Sequence, residues 1–261
     1  MGDATRADAT MTRRCLLGCA GKLAVGTAAL AVGGGSGVLA AAPAKEVPTP
    51  WPYRKIDPEA AAAIAYDRWY TGLCMNAVLT GLVTPLRASV GEPWASFPAD
   101  AFVWGHGGVV GWGTMCGSIL GASVVANLVC GAGPMRGGEQ VVNELVHFYA
   151  DTELPTFRPK NPRIAAAPPL SRSDSPLCHV SVGKWMKKTQ RGFHSPERRD
   201  RCARVSATVA MQTARYLNEF ADGKFKPRHK FPVALHAITA QGNCAECHSG
   251  AVPEPGTMGN P

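Results

Sequence analysis

Five residues near the end of the chain constrain it most: Cys244-Ala245-Glu246-Cys247-His248. In this C-x-x-C-H pattern, the two thiols can add to the vinyl groups of one porphyrin, and the histidine can bind its iron. We therefore predict a covalent haem c on Cys244 and Cys247, with His248 as an axial ligand. The alternatives are a thioredoxin-type redox pair or half of a zinc site. The glycine-asparagine turn before the motif does not favour the redox pair.

The first 44 residues have the composition of an export signal. The pair Arg13-Arg14 precedes an apolar stretch, rich in glycine and alanine, that closes with Ala42-Pro43-Ala44. This predicts a twin-arginine signal peptide over residues 1–44, a periplasmic protein and no membrane span after cleavage; an uncleaved anchor is the alternative. The twin-arginine route carries folded proteins, whereas haem c is attached outside the membrane. A second cofactor inserted before export, such as an iron–sulfur cluster, is therefore expected.

Hydrophobic periodicity predicts helices over four segments: 57–81, 114–129, 138–151 and 195–221. Two of these segments begin with an Asp-Pro-Glu or Ser-Pro-Glu sequence, which is typical of helix starts. Strand alternation is scarce, and proline- or glycine-rich connections separate the helices. We predict a mainly α chain, with a helical cysteine-bearing domain over residues 45–222 and a small haem-binding C-terminal segment over residues 223–261.

Five further cysteines remain in the exported chain, and an odd number cannot all pair within it: Cys74, Cys116, Cys130, Cys178 and Cys202. Thiolates from separate helices can bind one iron–sulfur cluster. Buried core cysteines and two disulfides are the alternatives. The segment 105–121 is dense in glycine, although glycine costs a helix about 1 kcal/mol relative to alanine. Such density indicates backbone packed closely against a cofactor or another helix.

The residues around these cysteines resemble a known family. The segments that carry the resemblance are Cys74, Cys116-Gly117-Ser118-Ile119-Leu120-Gly121, Leu177-Cys178-His179 and Arg201-Cys202. They are similar to the C_GCAxxG_C_C redox proteins and, together with the haem motif, to the split-Soret cytochromes c. The resemblance implies a mainly helical homodimer and two axial histidines per haem, one of them from the other subunit. It also implies an iron–sulfur cluster on Cys74, Cys116, Cys178 and Cys202, with [2Fe–2S] as one candidate type.

Two departures from the family pattern stand out. Ser118 occupies a position where the family usually has alanine. The chain has one haem motif where the split-Soret protein has two, so a stacked haem pair would have to form across the dimer. Cys130 has no role in the family pattern, and we expect it to be a core cysteine at a helix end.

The second axial ligand is open on sequence grounds. We favour His236, eight residues before Cys244, from the same or the partner subunit, with His229 as the next candidate. His147 lies on the apolar side of its helix and is expected in the core. His179 is expected either to donate to a cluster sulfur or simply to pack.

The net charge of +8 suits an acidic redox partner, and no nucleic-acid motif accompanies it. The basic run over residues 184–204, which includes Arg201, is either a docking face or ordinary solvated surface. We predict an electron carrier that passes single electrons to a partner protein, rather than an enzyme. A small-molecule reductase at an open haem or cluster is one alternative, and a disulfide-stapled haem-binding protein without a cluster is the other.

Overall fold

The computed structural model describes residues 47–231. Five α-helices build this part of the chain: α1 (Pro58–Ser89), α2 (Gly117–Cys130), α3 (Gly137–Asp151), α4 (Cys178–Thr189) and α5 (Pro196–Ala221). A 3-10 helix spans Ala99–Gly105, and two short strands, β1 (Glu153–Leu154) and β2 (Ser171–Arg172), pair antiparallel. The predicted mainly α class is confirmed.

The helix starts follow the local sequence. The side chain of Asp57 accepts a hydrogen bond from the N–H of Glu59 at 2.9 Å at the start of α1, and that of Ser195 accepts one from the N–H of Arg198 at 3.3 Å at the start of α5. A proline follows each cap, where its missing N–H costs nothing. These starts agree with the sequence prediction to within one residue.

Two helices differ from the prediction. α1 continues past Gly81, through Pro85, to Ser89, because its last turns place Leu82 and Leu86 fully in the core. Helix α4 was not predicted, since Leu177 before it provides no side-chain cap. Packing of its buried side chains, among them Val182 and Trp185, stabilises the helix instead.

Helix α1 packs against both α5 and α2, and α2 packs against α3. The larger core cluster forms along these contacts around Leu79, Leu82, Ile119 and Leu217. A smaller cluster contains Trp69, Cys74, Val182, Cys202 and Met211, with Cys178 packed at its edge. Three of the predicted cluster ligands therefore lie in one apolar region between α1, α4 and α5.

The last described residues return along the helical body. Phe225 packs on Tyr216 and Phe220 of α5, and Arg228 and His229 reach Glu144 of α3. None of the helices within residues 47–231 has the length and hydropathy of a membrane span.

Candidate metal centre

Cys74 lies directly after a break in α1. Leu73 has φ 59° and ψ −167° within the helix, a conformation that costs a non-glycine residue about 1–3 kcal/mol. The Cys74 that follows is 9% exposed, and the indole N–H of Trp69 donates to its sulfur at 3.3 Å. A strained break that leads into a buried, hydrogen-bonded thiol is typical of a functional site rather than of ordinary packing.

Cys116 and Cys178 are held side by side by their backbones. The N–H of Cys116 donates to the carbonyl of Pro176 at 2.9 Å, and the N–H of Cys178 donates to the carbonyl of Thr114 at 2.7 Å. Cys116 is the N-cap of α2, and Cys178 is the first residue of α4. Because a helix N-terminus favours negative charge, both positions suit thiolates.

Cys202 completes the group from the first half of α5, where it is 9% exposed. Burial, followed by the charges of Cys116 and Cys202, raises the pKa of Cys74 to about 12. Burial and the charges of the other three cysteines likewise raise the pKa of Cys178. The four predicted ligands thus lie in one buried region, although within residues 47–231 no three of their sulfurs lie within 4.8 Å of one another. Without a metal the thiols of Cys74 and Cys178 are protonated at neutral pH. A metal would have to displace their protons.

The four-cysteine site opens into a cavity of about 480 Å³. Its wall includes Cys74, Cys178 and Cys202, with His106 and His179 beside them and Arg198 and Arg199 also lining it. The cavity is larger than the sulfur ligands need, so a second molecule could approach the site from this side.

Two glycines set the spacing between α1 and α2. A Cβ on Gly117 would lie 2.0 Å from the carbonyl oxygen of Gly105 and 3.0 Å from the Cβ of Cys74, and one on Gly121 would lie 2.6 Å from the carbonyl oxygen of Met75. Only glycine permits this approach, which brings Cys116 next to Cys74. The glycine density predicted a close backbone contact, and the contacts are with α1 and with the end of the 3-10 helix.

A loop of five consecutive residues with positive φ, 107–111, lies beside Cys74. Two of them are the β-branched Val109 and Val110, for which positive φ is strained. The backbone N–H of Gly107 is hydrogen-bonded to Cys74, which acts to lower the pKa of that thiol. The strain is thus located where a backbone donor is directed at the sulfur of Cys74.

A buried positive charge accompanies the four cysteines. Arg201 is 1% exposed, and its Nη2 donates to the hydroxyl of Ser181 at 2.8 Å and to that of Ser171 at 3.5 Å. Its buried Nε–H has no acceptor, and within residues 47–231 no carboxylate forms an ion pair with it. The prediction that Arg201 belongs to an exposed basic run is wrong. Arg201 is on an inward-facing part of α5, immediately before Cys202.

An uncompensated buried cation is unfavourable unless an anion lies nearby. Four thiolates on iron carry net negative charge, because they outweigh the positive charge of a ferrous ion. The orphan Nε–H and the soft donor set therefore both fit an anionic iron–thiolate group at this site.

The comparison with known proteins covers this same region. Residues 74–216, which contain all four cysteines, match the family model "Putative redox-active protein (C_GCAxxG_C_C)". The chain is 33% identical over 202 residues to the split-Soret cytochrome c of Desulfovibrio desulfuricans (strain ATCC 27774 / DSM 6949 / MB), across 76% of this chain and 70% of that relative. This chain belongs to the split-Soret cytochrome c family.

A solved structure supports the family assignment. It is described as "A novel iron centre in the split-Soret cytochrome c from Desulfovibrio desulfuricans ATCC 27774". The two chains are 30% identical with a TM-score of 0.66, and the match covers 80% of this chain and 86% of that one. The split-Soret fold therefore extends over most of the chain.

Ser118 and Cys130, the two residues of this split-Soret chain that the family pattern does not explain, are explained by their surroundings in the structure. Ser118, which replaces the usual alanine, is buried and shares a 2.9 Å hydrogen bond with the hydroxyl of Ser206 on α5. Cys130 ends α2 in the main core, where burial raises its pKa to about 12. The expectation of a helix-end core cysteine is confirmed.

His179 lines the cavity, and its Nδ1 is 3.0 Å from the carbonyl oxygen of Gly113. This hydrogen bond orients the ring, and donation from His179 to a cluster sulfur stays a prediction. A Cβ on Gly113 would lie 2.9 Å from the Cβ of His179, so the glycine leaves room for the ring.

A second group of potential metal ligands lies where the segment after α5 meets α3. His147, Asp151 and His229 have ligand atoms within 4.8 Å of one another. The imidazole rings of His147 and His229 stack with centroids 4.0 Å apart and planes 11° apart, and Arg172 is 3.6 Å from Asp151. Because coordinate bonds lie in the ring plane, two stacked rings do not converge on one ion, and the group is better described as a packing contact.

The haem predictions concern residues beyond the described part of the chain. Cys244, Cys247, His248 and His236 lie outside residues 47–231, as does the signal peptide over residues 1–44. All of these stay predictions.

Proposed function

We propose that this chain is an exported electron-transfer cytochrome c with two redox centres. One is an iron–sulfur cluster held by Cys74, Cys116, Cys178 and Cys202, and the other is a haem c held by Cys244 and Cys247, with His248 on the iron. The haem passes single electrons to a partner protein in the periplasm. The observation that carries the proposal is the placement of four free cysteines in one buried region, close enough for their charges to interact, beside a guanidinium without an ion-pair partner among residues 47–231.

An iron–sulfur cluster supplies reversible one-electron chemistry when bound. The protein holds the thiolates, donates to a sulfur from Trp69 and packs apolar side chains around Cys74 and Cys202. The name of the solved relative mentions an iron centre, which supports iron rather than zinc here. All five described cysteines are free, which favours the cluster over the disulfide alternative.

The haem part of the proposal rests on the C-x-x-C-H pattern. We propose His236 as the second axial ligand, contributed within a homodimer by either subunit. Replacing His236 with alanine should convert the reduced haem spectrum from low-spin to high-spin, and His194→Ala should not. A low-spin spectrum in His236→Ala would remove this histidine from the proposal while leaving the haem itself in place.

A small-molecule reductase is the second candidate, because the cavity of about 480 Å³ opens the four-cysteine site to solvent. An electron carrier does not need such access. Oxidation of the reduced protein by small electron acceptors, with saturation at rising acceptor concentration, would favour the reductase. An oxidation rate that rises strictly linearly with acceptor concentration would favour the carrier.

The decisive experiment is iron and haem analysis, with electron paramagnetic resonance, on protein purified without air. We expect non-haem iron in addition to one haem per chain, and a paramagnetic signal in the reduced protein. Cys116→Ser should lose that signal and the non-haem iron. The matched variant Cys130→Ser should keep both, because Cys130 lies in the core away from the site. Wild-type protein without non-haem iron would refute the cluster.

A further inference from the structure

We propose that the buried guanidinium of Arg201 is the fixed counter-charge of the four-cysteine centre and raises its reduction potential. This inference rests on the proposed function, because it assigns Arg201 a role toward the metal group at that site. Arg201 is a positioning and charge-balancing residue and not a ligand.

The first observation is burial without compensation. Arg201 is among the largest fully buried side chains of the described part, and its hydrogen bonds are donated to two neutral hydroxyls, those of Ser181 and Ser171. Its Nε–H has no acceptor among residues 47–231. A guanidinium cannot release its proton, so the protein cannot relieve this charge by neutralising the side chain.

The contrast with Arg204 shows that the same helix can bury an arginine in the ordinary way. Arg204 is also buried, but its Nε donates to Asp200 at 2.6 Å, one turn earlier on α5. Arg204 therefore has its counter-ion within the chain. Arg201 lacks one among residues 47–231, and an anion bound at the neighbouring site would provide it.

The second observation is position. Arg201 immediately precedes Cys202 on α5, and its partner Ser181 lies three residues after Cys178 on α4. Burial raises the pKa of the Cys178 thiol, and the charge of Arg201 opposes that rise. The charge of Arg201 also acts to lower the pKa of Tyr149, which is hydrogen-bonded to Cys116, against the larger effect of burial. The charge of Arg201 thus reaches Cys178 on α4 and Tyr149 on α3, and Arg201 adjoins Cys202 on α5.

These observations together predict the direction of the effect. Reduction adds one electron, taken from a redox mediator or donor protein, to a centre that is already anionic. A fixed positive charge in a medium of low dielectric constant stabilises the more negative, reduced state. Without Arg201 the reduced state is less favoured, so the midpoint potential falls.

The test is a redox titration of the iron-loaded full-length protein, followed by electron paramagnetic resonance. We expect Arg201→Gln to reduce the ratio of reduced to oxidised centre roughly tenfold at a given potential, a shift of about 59 mV for a one-electron couple. Arg201→Lys should restore most of the wild-type potential. The matched control is Arg199→Gln, which removes the same charge from an exposed position lining the same cavity.

A stability comparison separates charge balance from a merely structural role. In iron-free protein with reduced thiols, the charge of Arg201 has no counter-ion, so Arg201→Met should leave the thermal midpoint unchanged or raise it. In iron-loaded protein the same variant should lower the midpoint and release iron to a chelator faster. Opposite effects in the two states are the signature of a counter-charge.

Three results would overturn the proposal. The first is a midpoint potential in Arg201→Gln that shifts no further than in Arg199→Gln. The second is equal destabilisation of the iron-loaded and iron-free proteins by Arg201→Met, which would show a structural role only. The third is a wild-type protein that binds no iron, which would remove the proposed cluster as well. The first two results leave the cluster itself intact. Failure of the proposed role of Arg201 can therefore be distinguished from failure of the proposed cluster.

Discussion

The indole N–H of Trp69 donates a hydrogen bond to the sulfur of Cys74 at 3.3 Å. Trp69 is one turn before the break in α1, and Cys74 follows it. The local shape of α1 therefore brings a neutral donor to the sulfur of Cys74. The donor is buried, because the Trp69 side chain is only 3% exposed.

We expect Trp69→Phe to lower the midpoint potential of the four-cysteine centre, because a donor to sulfur stabilises the more negative, reduced state. One hydrogen bond contributes about 0.5–1.5 kcal/mol, which corresponds to about 20–60 mV for one electron. A redox titration followed by electron paramagnetic resonance measures the shift. The control is Trp112→Phe, since Trp112 is 84% exposed. An unchanged potential in Trp69→Phe would show that this hydrogen bond does not tune the centre.

Gly117→Ala should destabilise the protein by about 1–3 kcal/mol, because the added Cβ would meet the Gly105 carbonyl oxygen at 2.0 Å. Separation of α2 from α1 should also reduce the bound iron. Gly183→Ala is the control, since Gly183 lies in α4 with no atom within 4 Å of an added Cβ. It should stabilise the protein by about 0.5–1 kcal/mol. Urea denaturation measures both, and a Gly117→Ala variant as stable as wild type would contradict the close-contact argument.

Glu144 predicts a pH dependence in the segment that leads to the haem region. Burial acts to raise the pKa of Glu144, but the N–H groups of His229 and Arg228 and the His229 side chain outweigh it, so the net pKa lies below the usual 4.5. The carboxylate accepts a hydrogen bond of 2.7 Å from each of these two backbone N–H groups. A group with a lowered folded pKa stabilises the protein above its unfolded pKa, and the effect disappears as the pH falls through the folded value.

We therefore expect Glu144→Gln to lower the free energy of unfolding by about 1.5–3 kcal/mol at neutral pH, the range for hydrogen bonds to a charged group. The difference from wild type should shrink as the pH falls below 4.5. Denaturant titrations at several pH values measure it, with the exposed Glu219→Gln as the control. A difference that stays constant down to acid pH would rule out the ionised carboxylate as its source.

Removal of the metal should release a defined number of thiols. Protein isolated from the periplasm, unfolded without air or reductant in the presence of a chelator, should show five reactive thiols: Cys74, Cys116, Cys130, Cys178 and Cys202. The thioether-bound Cys244 and Cys247 should not react. A thiol reagent with absorbance detection gives the count. Two disulfides would leave one thiol instead, and that count would support the disulfide-stapled alternative.

Local sequence predicted the helices that carry their own start signals. The caps at Asp57 and Ser195 located α1 and α5 to within one residue. Helix α4 was missed because Leu177 offers no capping group, and the end of α1 was placed too early because Pro85 usually ends a helix. Burial of Leu82 and Leu86 outweighs that cost, and burial is not visible in a short window of sequence.

The sequence by itself determined the types of ligand, the C-x-x-C-H motif and the glycines that permit close backbone contact. Only the tertiary structure showed that Cys74, Cys116, Cys178 and Cys202 lie in one buried region, because these residues are far apart in the chain and local periodicity carries no information on such distances. The tertiary structure also places Arg201 in the interior beside Cys202, whereas the sequence pattern indicated an exposed basic run. The charge of a side chain can be read from sequence, but its burial depends on which helix faces it and on what anion lies nearby.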